Sequence, residues 1–260
     1  TKTIASLLSK STGSLFFNLS GRAHNSKQEL LMFMNNIDKF KKLKNVILVS
    51  GLNNIYCSAF LVKDGDPFTF SGSFHSAMYK HSIGRKKIFL KNIFDFFGFR
   101  NIDWQNVNIS NFINKVLINR SSNHDEKISN IIDVCAASER TCRDLLIWKI
   151  LAKTFGFKLS FCLQPVFGWM PKDLSVEEEK LFNLLKKKKN NILKQLLSFE
   201  VYKSYHPIIR DFCKTNNIRF YDLNSIATTN QDWFFVDRVH LTDFGYNKVT
   251  EAIISNILGE

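Results

Sequence analysis

The sequence has few cysteines, and they form no recognisable pattern. The 260 residues include five cysteines, none of them in a CxxC pair or at zinc-site spacing with histidine. The odd count argues against a complete disulfide framework, so we expect most of these thiols to behave as small buried hydrophobes. The sequence also lacks an apolar run approaching the ~20 residues of a membrane-spanning helix. We therefore predict no transmembrane segment, no metal and no cofactor, whereas compartment and oligomeric state stay open.

Acidic residues are outnumbered, with 23 Asp and Glu against 36 Lys and Arg, which gives a net charge of +13. Such an excess is compatible with an anionic partner, such as nucleic acid, a membrane surface or an acidic glycan. However, the only dense basic run is 186–189, inside a helical stretch at 181–197. A run of this kind is more typical of a solvated helix face than of a docking patch. Since no DNA- or RNA-binding motif accompanies it, we expect no nucleic-acid partner.

Short apolar runs alternate with helical patterns along most of the chain. Strands are predicted at 14–19, 45–49, 158–163 and 219–223. Helices are predicted at 3–10, 26–40, 127–155, 207–216 and 243–258. Nearly continuous apolar strands between helices indicate a parallel sheet that is covered on both faces. The sequence therefore predicts a single α/β domain over 1–260, a three-layer α/β/α sandwich with a mostly parallel sheet.

The alternation breaks down over 57–124, a stretch rich in Gly, Phe, Ser and Asn. It is far longer than an ordinary connection between a strand and a helix. Two interpretations stay open. It is either an insertion or lid at the carboxyl end of the sheet, where ligands of such folds bind, or an elaborated surface without a role.

Two polar segments follow predicted strands, and a third lies in the C-terminal part of the chain. Gly21 follows the first predicted strand, Asn53 follows the second, and Asp237 stands three residues before His240. A carboxylate and an imidazole at this spacing suit the base end of a serine hydrolase. A backbone N–H at Gly21 and the amide of Asn53 are suitable donors for an oxyanion. Together they predict an acyl-transfer site.

These blocks resemble the SGNH (GDSL-like) hydrolase family. The segment NLSG matches its glycine block, Gly51-Leu-Asn-Asn its Gly-x-Asn-Asp block, and Asp237-Arg-Val-His its Asp-x-x-His block, followed by HLTDFGY. Asn54 departs from the family's Asp. Gln-Pro at 164–165 and the acidic segment at 173–179 resemble members found among bacterial polysaccharide and cell-surface genes. The resemblance implies a flavodoxin-like fold with catalytic His240 and Asp237, and an oxyanion hole at Gly21 and Asn53.

Four further residues are candidates for the pocket of such a site. Three have an alternative interpretation: Arg22 as a solvated cation, His24 as a loop residue, and Gln164 as the end of a strand. The fourth, Asn54, stands where the family has Asp. They are nevertheless retained because they lie beside the matched blocks.

The family's nucleophile block, a Gly-x-Ser turn between the first strand and the first helix, has no counterpart in this sequence. The segment 3–10 already resembles that first helix, and Ser11, Ser14 and Ser20 lie on its wrong side. Two explanations compete, a serine upstream of Thr1 or its loss. The non-Met start favours the first, so the domain is expected to lack its first strand and serine turn.

The resemblance implies an ester hydrolase, with a small-molecule or glycan ester as substrate and carbohydrate deacetylation as one form. The first alternative is a non-catalytic SGNH-like module that binds a glycan or a protein. A weaker one is an anion-binding protein, suggested by the net charge.

Overall fold

The computed structural model describes residues 3–21, 24–58, 132–185, 191–229 and 231–259. Apart from residues 57 and 58, the predicted insertion at 57–124 lies outside these ranges, as do Arg22 and the lysine run at 186–189. The fold and the candidate site are therefore built from the remaining parts of the chain.

Helices and strands alternate through the described residues. The eight α-helices found there are α1 Ile4–Thr12, α2 Ser26–Met34, α3 Leu52–Ser58, α4 Val134–Phe155, α5 Val176–Leu185, α6 Asn191–Leu196, α7 Phe199–Thr215 and α8 Asp243–Ile253. The strands are β1 Asn45–Ser50, β2 Lys158–Leu163 and β3 Arg219–Asp222. None of these helices has both the length and the apolar content required to cross a membrane.

The three strands form one parallel sheet in the order β1-β2-β3. Their last residues are register partners, Ser50 with Leu163 and Leu163 with Asp222. The strands therefore end together, at what we call the carboxyl edge, and start at the opposite amino edge. The predicted α/β class and parallel sheet are confirmed.

Helices pack against both faces of the sheet because alternate strand residues point to opposite sides. On one face, Leu48, Phe161 and Leu163 join a buried cluster with residues of α2, α3, α4 and α7. On the other, Cys162 is buried with residues of α1, α5 and α8. This contact with helices on both faces explains why most residues between the strand ends are apolar.

The strand predicted at 14–19 is wrong. Residues 15–20 have no ladder partner among the described residues, and Leu15 and Phe17 are 76% and 61% exposed. Phe16 and Leu19 do contact the two buried clusters. The apolar pattern therefore reflects contacts with the core, whereas a strand also requires a neighbouring backbone to pair with.

Two predicted helix boundaries are also wrong. Helix α2 ends at Met34 rather than near residue 40, and α7 begins at Phe199 rather than Pro207. The Ser198 side chain caps α7 by accepting a hydrogen bond from the Val201 N–H. Proline favours the first turn of a helix, but here Pro207 lies inside one, where it removes one backbone hydrogen bond.

Gly51 turns the chain from β1 into α3 with a φ of 128°. L-residues with a side chain rarely adopt this conformation. A Cβ here would also lie 2.7 Å from Leu163 Cδ1 on the neighbouring strand. The glycine of the Gly51-Leu-Asn-Asn segment is thus required by the backbone, and it directs Asn53 and Asn54 into the first turn of α3.

Candidate active site

Asp237 and His240 lie in a short closed loop just before α8. Phe235 and Leu241 form an antiparallel bridge across its base, and the Val236 N–H donates to the His240 carbonyl at 2.9 Å. These backbone contacts hold the two side chains on a defined turn.

This loop is attached to the carboxyl edge of the sheet. The N–H of Phe167, in the segment that follows β2, donates to the Arg238 carbonyl at 3.0 Å. Val239 packs against the buried cluster that contains the carboxyl-terminal residue of β2, Leu163. The Asp–His loop therefore lies where ligands of open α/β sheets bind.

The two side chains form a short hydrogen bond, with His240 Nδ1 2.7 Å from Asp237 Oδ2. Asp237 Oδ1 accepts from the N–H groups of Val239 and His240, both at 2.8 Å. Burial by itself raises the pKa of Asp237, but these hydrogen bonds outweigh it and leave the pKa lowered. An ionised Asp237 holds the proton of His240 on Nδ1, which leaves Nε2 to act as the base.

The free nitrogen of His240 is accessible. Its side chain is 71% exposed, and Nε2 has no hydrogen-bond partner among the described residues. A second Asp–His contact, His206 Nε2 to Asp222 Oδ2 at the end of β3, is 3.6 Å long. That distance is too great for a hydrogen bond, and the Asp222 oxygen already accepts from the Tyr202 hydroxyl at 2.7 Å. Of the two contacts, only the one between Asp237 and His240 is therefore a hydrogen bond between carboxylate and imidazole.

A buried salt bridge supports the chain that leads into the loop. Glu178 Oε1 accepts from the N–H groups of Phe234 and Phe235 at 3.1 and 2.9 Å, and Oε2 accepts from Lys172 Nζ at 2.6 Å. Both charged side chains are fully buried. Sequence reasoning missed this contact, although Ser175 and Glu178 have capping-box spacing and exchange the reciprocal hydrogen bonds of that motif.

The residues after His240 start helix α8. Thr242 caps it, because its Oγ1 accepts from the Gly245 N–H at 3.1 Å and donates to the Trp233 carbonyl at 2.6 Å. A Cβ at Gly245 would lie 2.4 Å from the Phe234 carbonyl oxygen. The HLTDFGY segment therefore needs threonine and glycine to bring α8 against the chain preceding the loop.

Hydrogen bonds to His24 connect two other predicted site residues, Gly21 and Asn53. The Gly21 N–H donates to His24 Nδ1 at 3.1 Å, and Asn53 Nδ2 donates to the His24 carbonyl at 2.8 Å. The structure therefore brings Gly21, His24 and Asn53 together. The Gly21 N–H is already engaged, whereas the second Asn53 Nδ2 hydrogen has no partner among the described residues. Their oxyanion role stays a prediction.

Asn54 is buried and does not line an open pocket. Its Oδ1 accepts from the Ser26 N–H at 2.9 Å, and its Nδ2 donates to Thr141 Oγ1 at 2.7 Å. Thr141 in turn lies 2.7 Å from the Tyr205 hydroxyl. An ionised carboxylate could accept but not donate, which explains why asparagine suits this position.

Gln164 contributes its backbone to the carboxyl edge. Its N–H donates to the Ser50 carbonyl at 3.1 Å, and its carbonyl accepts from Asn224 Nδ2 at 3.1 Å. Its side chain makes no hydrogen bond with the described residues. Gln164 thus extends the β1–β2 ladder by one step.

An open cleft of about 500 Å³ adjoins the Asp–His loop. Its walls include Trp233, Val236 and Phe244, whose side chains are about two-fifths exposed, and Asp232 and Asp243. The Trp233 ring is oriented by a hydrogen bond from Nε1 to the Phe235 carbonyl, 2.9 Å long. Ligand sites have volumes in this range and combine apolar walls with a few polar groups.

No group of three or more His, Cys, Asp or Glu side chains in the described part of the chain is arranged to hold a metal ion. Its five cysteines are unpaired, and burial raises the pKa of Cys142 to about 11. Comparison of the whole chain with protein-family models and with curated proteins finds no match.

Proposed function

We propose that this chain is an SGNH-type serine ester hydrolase domain with a flavodoxin-like α/β/α arrangement. The observation that carries the proposal is the 2.7 Å contact between His240 Nδ1 and Asp237 Oδ2, on a loop attached to the carboxyl edge. The accessible Nε2 of His240 supports it further, because a general base must come within hydrogen-bond reach of the hydroxyl whose proton it takes.

In the proposed reaction, a serine hydroxyl attacks the ester carbonyl while its proton passes to His240 Nε2. The imidazolium, stabilised by Asp237, then protonates the departing alkoxide as the acyl-enzyme forms. Water, deprotonated by His240, attacks the acyl-enzyme, and the serine recovers its proton as the acid is released. The proposal requires a serine hydroxyl within reach of His240 Nε2, and no serine among the described residues is bonded to that nitrogen.

The developing oxyanion needs donors that are free when the substrate is bound. The second Nδ2 hydrogen of Asn53 meets this condition. For Gly21 to contribute, its N–H must leave His24 Nδ1, to which it donates at 3.1 Å. Rotation of the His24 ring would release it, so in this mechanism His24 governs access to the oxyanion position.

The cleft beside His240 favours an ester carried on a carbohydrate. The partly exposed rings of Trp233 and Phe244 offer apolar surface to the C–H groups of a sugar ring. Asp232 and Asp243 place carboxylates at the same cleft, where they can accept hydrogen bonds from hydroxyl groups. This combination fits a neutral polyhydroxyl compound better than a long acyl chain.

The test uses the full-length protein and two independent measurements. Hydrolysis of p-nitrophenyl acetate should fall about 10³-fold or more in the His240→Ala variant. A fluorophosphonate probe should label a single serine, and labelling should be lost in the same variant. His206→Gln is the matched control, because it changes the other histidine near a carboxylate and should keep both signals. Equal activity of wild type and His240→Ala would refute the proposal.

A second candidate is a non-catalytic module that binds a glycan. It is favoured by the Gly21 N–H being satisfied internally and by the absence of a described serine bonded to His240. If fluorophosphonate labels no serine while a soluble glycan quenches Trp233 fluorescence, this candidate replaces the enzyme. A Trp233→Phe variant identifies the signal, since the chain has four tryptophans.

A further inference from the structure

A second cavity, of about 310 Å³, opens at the amino edge of the sheet, where α4 and α7 end and where β2 and β3 begin. Four basic residues line it: Lys149, Lys153, Lys158 and Arg219. Among the described residues that form its wall, none is acidic. The cavity is thus a concave surface with positive charge on several sides.

The helix dipole explains the position of only one of these four basic residues. Lys153 lies in the last turn of α4, where the helix dipole favours a cation. That effect does not extend to Lys149, more than a turn earlier, nor to Lys158 and Arg219, which begin strands. Three separate elements therefore bring like charges to one cavity, and an anion between them would relieve their repulsion.

Hydrogen bonds to neutral groups hold two of the basic side chains in place. Lys149 Nζ donates to Asn216 Oδ1 at 3.1 Å, and the Arg219 guanidinium donates to the Ile257 carbonyl. An amide or carbonyl oxygen positions a cation without neutralising it. Lys149 therefore keeps its full charge for a ligand.

The floor of the cavity is apolar. Phe157, Leu159 and Ile218 line it and are buried, and Ser160 and Asn217 add a hydroxyl and an amide. The volume is at the lower end of the range for small-molecule sites, so an organic group can accompany the anion. Several cations and a small apolar floor match a phosphate group attached to a compact organic moiety.

We propose that this amino-edge cavity binds a phosphorylated small molecule, with the phosphate held by Lys149, Lys153, Lys158 and Arg219. The site lies at the opposite edge of the sheet from the Asp237–His240 loop. It is therefore independent of the proposed hydrolase activity, and neither depends on the other being correct.

The experiment is a calorimetric titration of the full-length protein with inorganic pyrophosphate and with glycerol 3-phosphate. We expect saturable binding that weakens about tenfold or more in the Lys149→Gln/Lys153→Gln variant. The matched control is Lys180→Gln/Lys203→Gln, which removes the same charge from exposed helix positions outside the cavity and should bind like wild type. Equal weakening in both double variants, or no binding of either probe to wild type, would overturn the proposal.

A phosphate group can also belong to a lipid headgroup, so a second arm distinguishes the sources. Co-sedimentation with phosphatidylglycerol vesicles, at 0.15 M NaCl to weaken nonspecific electrostatic attraction, is compared with co-sedimentation with phosphatidylcholine vesicles. Binding to the soluble probes without co-sedimentation supports a soluble ligand. Co-sedimentation lost only in the cavity variant supports a lipid phosphate at the same residues. Thermal unfolding of each variant confirms that the binding differences come from folded protein.

Discussion

Charged side chains have different partners at the two edges of the sheet. At the carboxyl edge, the carboxylates bond to other side chains and to the backbone: Glu178 to Lys172, and Asp237 to His240. At the amino edge, Lys149, Lys153 and Lys158 are exposed around a cavity whose described lining includes no carboxylate. The first arrangement fixes a loop in place, whereas the second leaves charge available to a ligand.

Burial explains the difference. A charge removed from water must be compensated by a partner with good geometry, or the folded state is strongly destabilised. Glu178 and Lys172 are fully buried, so each depends on the other. The amino-edge lysines stay hydrated, and their removal should cost the fold little. Three stability measurements test this difference between the two edges.

The largest effect is expected for Glu178→Ala, which leaves Lys172 buried without its carboxylate partner and the N–H groups of Ser175, Phe234 and Phe235 without this acceptor. The free energy of unfolding should fall by about 3–5 kcal/mol, measured by urea denaturation. Glu179→Ala is the control, because the neighbouring carboxylate is exposed and should cost less than about 0.5 kcal/mol. Similar losses in the two variants would mean that Glu178 is not the support for the loop.

The second effect concerns Glu29, whose Oε1 accepts from Ser50 Oγ at 2.8 Å at the end of β1. Burial, together with nearby Asp144, raises the pKa of Glu29 from 4.5 to about 7 despite the Ser50 hydrogen bond. The folded state then keeps a proton that the unfolded state releases. Its contribution to stability is therefore present below pH 4.5 and is lost as pH rises to about 7, a change of about 3 kcal/mol.

The measurement is the free energy of unfolding between pH 4 and 8.5 for wild type and Glu29→Gln. Glutamine keeps an acceptor for Ser50 and stays neutral at every pH. The free energy of unfolding of the variant should therefore rise relative to that of wild type as pH rises, and the variant should be the more stable protein at pH 8. Parallel curves for the two proteins would show that Glu29 does not titrate in this window.

The smallest effect is expected at the amino edge. The Lys149→Gln/Lys153→Gln variant should change the free energy of unfolding by less than about 0.5 kcal/mol at 0.15 M NaCl, because both side chains are exposed. A loss of about 2 kcal/mol or more would place these lysines among the structural charges, and the contrast between the edges would fail.

The sequence predicted the sheet well where strands are buried on both faces. The runs 45–49, 158–163 and 219–223 differ from the observed strands by one residue at most. It failed at 14–19, where apolar side chains reach the core without a pairing strand. It also failed at Pro207, because the Ser198 cap and the burial of Val201 and Tyr205 extend α7 further back than the proline suggested.

In the candidate site, the contact between Asp237 and His240 could be predicted from the sequence, but the residues that pack around it could not. Three-residue spacing suffices to suggest the Asp237–His240 contact, since both side chains lie on one turn. The contacts of Glu178 with Phe234 and Phe235 span 56 and 57 residues, and that of Asn53 with His24 spans 29. No periodicity encodes such distances, which arise only when α5 and α3 pack at the carboxyl edge.

Local patterns of apolar and polar residues suffice to predict the α/β class, the parallel strands and the Asp237–His240 pair. Tertiary packing establishes that Glu178 supports the loop, that His24 engages both Gly21 and Asn53, and that Lys149, Lys158 and Arg219 share one cavity. Charges and hydrogen-bond donors acquire their roles from burial and from neighbours distant in sequence, and only the packed chain supplies both.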